Sequence, residues 1–81
     1  MMVYQVACEE GTDEKVVVLG KAAQLGLQAT PAEPEFEGEV LIDITGPVPA
    51  LVKFGKWEWE ELHMLDVQFD DDFFLSLLEP T

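Results

Sequence analysis

Between Phe36 and Ile44 the chain alternates: Phe36, Val40, Ile42 and Ile44 fall on one parity, and Glu35, Glu37, Glu39 and Asp43 on the other. Successive residues of a strand point to opposite faces, so this spacing predicts a half-buried strand with one apolar and one acidic face. Leu41 alone breaks the acidic parity. A strand of this kind needs an apolar layer over one side, and it fits an antiparallel sheet whose other side meets water. Pro31 and Pro34 just before it predict an extended, non-helical linker over 29–35, with Glu33 lying across Pro34 from the alternation.

The flanking segments supply the rest of a small α+β domain. MVYQVAC at 2–8 is β-branched and aromatic enough for a strand, stopped by Glu9, Glu10 and Gly11. Two readings of the next stretch stay open. As a helix, Thr12 caps it, Asp13 and Glu14 meet the positive end of its dipole, and Val16, Leu19, Ala23 and Leu27 share a face. As a hairpin, Gly11 to Glu14 form the turn, Lys15 to Leu19 pair back on the first strand, and a short helix follows. Three consecutive valines and Gly20 weaken the helix, and the capping signals favour it.

After the alternating strand, TGPVP at 45–49 reads as loop, and ALVKFGK at 50–56 is too short to classify. Trp57 and Trp59 then alternate with Glu58 and Glu60, and Leu65, Val67 and Phe69 resume the tryptophan parity. The pattern reverses over 61–64, through a bulge, a turn between strands or a turn of helix. A short C-terminal helix is expected over 71–79, with Asp70 as N-cap, Phe69 and Phe74 spaced for a hydrophobic staple, and Phe73, Phe74, Leu77 and Leu78 on its buried side. The expected whole, residues 1–81, is one small acidic domain: an antiparallel sheet of three or four strands with one or two helices packed on one face.

Charge excludes several classes of function. There are 17 acidic residues against 4 lysines, with no arginine, one histidine and a formal net charge of −13. Affinity for nucleic acid comes from Lys and Arg displacing counterions, so direct nucleic-acid binding is not expected, and anionic membranes are disfavoured for the same reason. The lack of arginine also removes the bidentate fork that holds carboxylate or phosphate groups. Such a chain attracts a basic partner surface. Cys8 is the one cysteine, so no internal disulfide forms. The opening residues have neither the basic region nor the apolar stretch of a secretory signal, and no apolar run has the length of a membrane span. A cytoplasmic protein is expected.

Catalytic chemistry finds little support. Most carboxylates lie on the polar parity of strands, where nothing shifts them into acid–base work. His63 and Cys8 are too few and too far apart in sequence for a zinc site, and no third group is at hand to orient them as a nucleophilic pair. Asp70 to Asp72 lack the glycine and closing glutamate of a calcium loop, and a helix N-terminus accounts for them. The expectation is therefore no enzyme, no cofactor and no metal.

Two features point to recognition. Alternate carboxylates on a strand stand about 6.6 Å apart, comparable with the roughly 6–7 Å between successive phosphates of a nucleic-acid strand. Glu35, Glu37, Glu39 and Asp43 could thus imitate a phosphate row. Trp57, Glu58, Trp59 and Glu60 form the second candidate, because exposed tryptophans anchor interfaces; facing the core is the alternative for both rings. Residues 7–19, ACEEGTDEKVVVL, also resemble an acidic hairpin of the phage uracil-DNA glycosylase inhibitors, small acidic proteins that mimic DNA. None of that family's functional residues maps onto this chain, so the likeness implies only a general class. The expected function is a non-catalytic acidic protein that binds and masks a basic partner, with an inhibitor mimicking nucleic acid as one form. The alternative is a structural or assembly subunit that forms a homodimer or a permanent complex through its apolar surface.

Overall fold

A computed structural model describes residues 1–81. In chain order the elements are strand β1 (Met2–Glu9), helix α1 (Glu14–Gln24), β2 (Gln28–Ala32), β3 (Glu39–Gly46), α2 (Val48–Trp57), a π-helical turn (Glu58–Leu62), α3 (Asp71–Leu77) and β4 (Glu79–Pro80). The strands form one antiparallel sheet in the order β2-β3-β1-β4. This is the expected α+β class, with four strands and three helices. β1 and β2 run parallel with β3 inserted between them, which is the split-βαβ connectivity.

Register decides which face is covered. Tyr4 lies opposite Ile44, Val6 opposite Ile42 and Cys8 opposite Val40, so these residues share one side of the sheet. Val6, Cys8, Ile42 and Ile44 are buried there in one cluster with Val18, Ala22, Leu51, Phe54 and Phe74 from the helices and Leu78 just past α3. All three helices therefore pack on the same face. The other face carries Gln5, Asp43, Thr30 and Glu79 and is open to water, with Leu41 buried among smaller neighbours at its centre.

The first ambiguous segment is a helix and not a hairpin. Thr12 Oγ1 donates to the Glu9 carbonyl at 2.8 Å and turns the chain out of β1. Asp13 occupies the N-cap position, one residue later than Thr12. At the far end Gly26, at φ +73°, lets its own N–H reach Ala23 O and the Leu27 N–H reach Ala22 O, the paired bonds of a Schellman stop. The buried stripe is Val18 and Ala22, whereas Val16 and Leu19 face solvent. Valines at 16, 17 and 18 leave this helix apolar almost all round, so periodicity could not choose the face. Packing chose the stripe with a small residue, Ala22, against the sheet. The hairpin likeness of residues 7–19 ends with this helix.

Three further expectations are corrected. Residues 28–32 form a strand and not a linker: β2 is an edge, where Pro31 can pair on one side without its missing N–H being needed on the other. Residues 48–57 form a helix in which Pro49 lies in the first turn, where a proline costs no intrahelical bond. Residues 63–70 are irregular, not a continuation of strand, with Leu65 and Val67 exposed. The C-terminal helix is close to expectation but two residues shorter. Asp70 accepts from the Phe73 N–H at 3.1 Å, and the Phe69 and Phe74 rings meet at 5.6 Å as a staple. Phe74 is its buried residue and Leu78, just past its end, is buried too, while Phe73 and Leu77 stay about half exposed.

Candidate functional site

The carboxylate row does not form. β3 begins at Glu39, so Glu35 and Glu37 belong to the loop over 33–38, which closes through Gly38 at φ +79°. Only Glu39 and Asp43 of the four lie on the strand, and Asp43 accepts a hydrogen bond from Gln5 Nε2 at 3.1 Å. Pro34 and Gly38 bracket a turn that the alternation alone conceals.

A different acidic arrangement replaces it. Glu9 lies opposite Glu39, and the Glu10 N–H donates to the Gly38 carbonyl at 2.8 Å. Glu14 Oε1 accepts from the Glu9 N–H at 3.3 Å. The β1–α1 connection and the β2–β3 loop thus share one end of the sheet. These segments and the strand and helix ends that flank them carry Glu9, Glu10, Asp13, Glu14, Glu33, Glu35, Glu37 and Glu39, and Lys15 follows in α1. Phe36, 69% exposed, stands in the same loop between Glu35 and Glu37.

The tryptophan segment is reversed relative to the strand reading. Leu51, Phe54 and Gly55 are the buried residues of α2, and the same helical spacing continues through Glu58. Glu58 is therefore the one buried charged residue of the chain, at 7% exposure. Trp57 and Trp59 flank it half-buried, and Glu60 is exposed. Trp57 packs on Phe54 at 5.6 Å with Lys21 Nζ 5.7 Å from its ring. Trp59 donates its Nε1–H to the Val67 carbonyl at 2.6 Å and meets Phe69 edge-on at 6.1 Å.

A carboxylate at that depth needs partners. Tyr4 supplies one: its hydroxyl donates to Glu58 Oε1 at 2.5 Å. His63 Nε2 lies 3.5 Å from Oε2, brought there by the π-helical bond from the His63 N–H to the Glu58 carbonyl at 2.9 Å. Burial pushes the Tyr4 phenol well above its ordinary range, and the hydrogen bond to Glu58 and its charge add to the shift. Cys8 is pushed up as well, first by burial and then by the charges of Glu14 and Glu58, with Lys15 opposing. His63 is thus engaged with Glu58, and Cys8 faces the core from β1.

Above Glu58 is a narrow cleft of about 40 Å³ walled by Tyr4, Trp59, Phe69 and Phe74, with Phe73, Leu77 and Asp70 at its mouth. Tyr4 and Glu58 meet across 54 residues of sequence, and a strand reading of 57–60 hides the contact. The helical stripe Leu51, Phe54, Gly55, Glu58 and Leu62 is the signal that would have exposed it. No three His, Cys, Asp or Glu side chains gather as a metal site, and no helix is long and apolar enough to cross a membrane. Comparison with family models, with curated proteins and with solved structures gives no match.

Proposed function

We infer that this chain is a non-catalytic, acidic interaction protein that docks one end of its sheet onto a basic partner protein and masks it. The acidic end built from the β1–α1 connection and the 33–38 loop supports this reading. Its carboxylates have one lysine beside them, and no lysine–carboxylate ion pair occurs anywhere in the chain. Opposite charge on a partner would neutralise this field and speed encounter. Phe36 gives the acidic rim an apolar anchor, the combination of charged surround and aromatic centre that binding surfaces use. Proteins that hold nucleic acid present such basic surfaces, so an inhibitor competing with nucleic acid is the sharpest form of the reading. It rests on charge and not on a phosphate-spaced row. A reducing, cytoplasmic setting suits a lone thiol.

The test is binding to poly-L-lysine and to basic nucleic-acid-binding proteins across a salt series of roughly 0.05 to 0.5 M, over which surface charges become screened. Affinity should fall steeply with salt and should be abolished by the combined changes Glu33→Lys, Glu35→Lys and Glu37→Lys. Phe36→Ala should weaken binding without altering its salt slope. Binding that ignores both salt and charge reversal would refute the reading. Assembly through apolar surface is the second reading, favoured by Val16 at 70%, Val67 at 69% and Phe73 at 54% exposure. A concentration-independent dimer in sedimentation would shift the conclusion to it.

A further inference from the structure

We propose that the cleft over Glu58 is a receptor for a single alkylammonium group, the tip of a lysine side chain from a basic partner protein. Its lining joins two attractions for a cation. Tyr4, Trp59, Phe69 and Phe73 line it with aromatic rings, and the acidic residues Glu58 and Asp70 line it with them. Ring faces carry the negative part of the aromatic quadrupole and hold cations best where water is displaced. Glu58 is not saturated: an ionised carboxylate accepts about four hydrogen bonds, and this one has Tyr4 on Oε1 and His63 on Oε2.

None of the chain's own lysines fills the position. The one ion-pair contact in the molecule is that of His63 with Glu58, and the lysine found over a ring, Lys21, is on Trp57. The walls are also set in advance. Trp59 is tied by its Nε1–H to Val67, and Phe69 packs against both Trp59 and Phe74.

The partners of the carboxylate narrow the ligand. With Tyr4 on Oε1 and His63 on Oε2, Glu58 has no free edge for the two-pronged contact of a guanidinium, and the point charge of an ammonium group suits it better. The half-exposed Phe73 and Leu77 at the mouth would flank the methylene stem, as apolar surface commonly does for lysine. The assignment rests on the reading of the chain as the partner of a basic protein.

The experiment titrates the full chain with n-butylammonium chloride, n-butylguanidinium chloride and 1-pentanol in turn. The Trp59 indole and Glu58 amide signals are followed by two-dimensional NMR, with the Trp57 indole as internal control. Saturable shifts at Trp59 and Glu58, absent at Trp57 and absent with pentanol, are the expected result. Glu58→Gln and Phe73→Ala should each weaken binding about tenfold or more, and Phe73 is exposed enough that its variant keeps the fold. No saturable shift, an equal response to pentanol, a preference for butylguanidinium, or full binding by Phe73→Ala would each overturn the proposal. Poly-L-lysine binding is measured in parallel on wild type and on the Glu33, Glu35 and Glu37 reversal. If the polymer binds and butylammonium does not, the cleft assignment fails alone. If butylammonium binds and the polymer does not, the acidic-end reading fails alone.

Discussion

Two helical glycines make opposite predictions for the same substitution. A Cβ added at Gly20 in α1 meets nothing within 4 Å, so Gly20→Ala should gain about 0.8–1.0 kcal/mol of helix propensity. For a domain of this size that corresponds to a rise in Tm of about 4–8 °C. Gly55 in α2 has the same propensity to gain, but its new Cβ would lie 2.2 Å from Cε1 of Phe74 and 2.6 Å from two further ring atoms. Carbon atoms settle at about 3.5–4.0 Å, so the ring would have to retreat by more than about 1 Å. It has little room: Phe74 is 3% exposed, and its ring meets Tyr4 at 4.8 Å and Phe69 at 5.6 Å. Overpacking of this kind costs about 1–3 kcal/mol, and after the propensity gain a net loss of about 1 kcal/mol is expected. Urea and thermal unfolding of both variants measure the two signs directly. Phe74→Leu in the Gly55→Ala background should recover part of the loss, with a coupling of about 0.5 kcal/mol or more. A Gly55→Ala protein more stable than wild type would refute the packing of α3 on α2.

The buried groups give further expectations. Tyr4 titrates above its ordinary value in the folded chain, so it should still be un-ionised at a pH where free tyrosine has lost its proton. Because the folded pKa is the raised one, the stabilising effect is complete below about pH 10 and is lost as pH climbs towards the folded value. Phenolate absorbance against pH shows this, and Glu58→Leu should lower the Tyr4 titration only partly, because burial is the largest cause of the shift. Cys8 should resist aromatic disulfide reagents until the chain unfolds, since its thiol is buried and held protonated. A thiol reacting at the same rate in native buffer and in urea would contradict its placement on the core side of β1. Asp70→Ala removes the one side-chain N-cap bond of α3 and should cost about 1 kcal/mol in chemical unfolding. Asp70→Ser should restore most of it.

What was legible in the sequence was carried by local chemistry. The β1 and β3 cores, the acidic start of α1, and the cap and staple of α3 each depend on residues a few positions apart. Errors arose where a local pattern had two solutions. Trp57-Glu58-Trp59-Glu60 alternates as a strand would, yet it prolongs the α2 stripe of Leu51, Phe54 and Gly55, and the helix wins because Tyr4 supplies a partner for the buried carboxylate. Pro49 reads as a breaker and instead opens a helix, while Pro31 reads as linker and instead lies in an edge strand. The acidic end was not legible because it joins residues 9–14 to residues 33–39, which only the pairing of β1 with β3 makes neighbours.

That pairing also divides the carboxylates by what holds them in place. Glu58 is fixed by a tyrosine, Asp70 by a helix cap and Asp43 by Gln5, so replacing any of these disturbs a named contact. Glu33, Glu35 and Glu37 accept no side-chain hydrogen bond and join no ion pair, and the core beneath is apolar. They stabilise nothing local, and their mutual repulsion works against the compact state. Solubility needs only dispersed charge, whereas these charges are concentrated in one loop around an exposed phenylalanine. Under the proposed reading these carboxylates serve a partner and not the fold, so charge reversal in that loop should change binding while leaving Tm unchanged or raised.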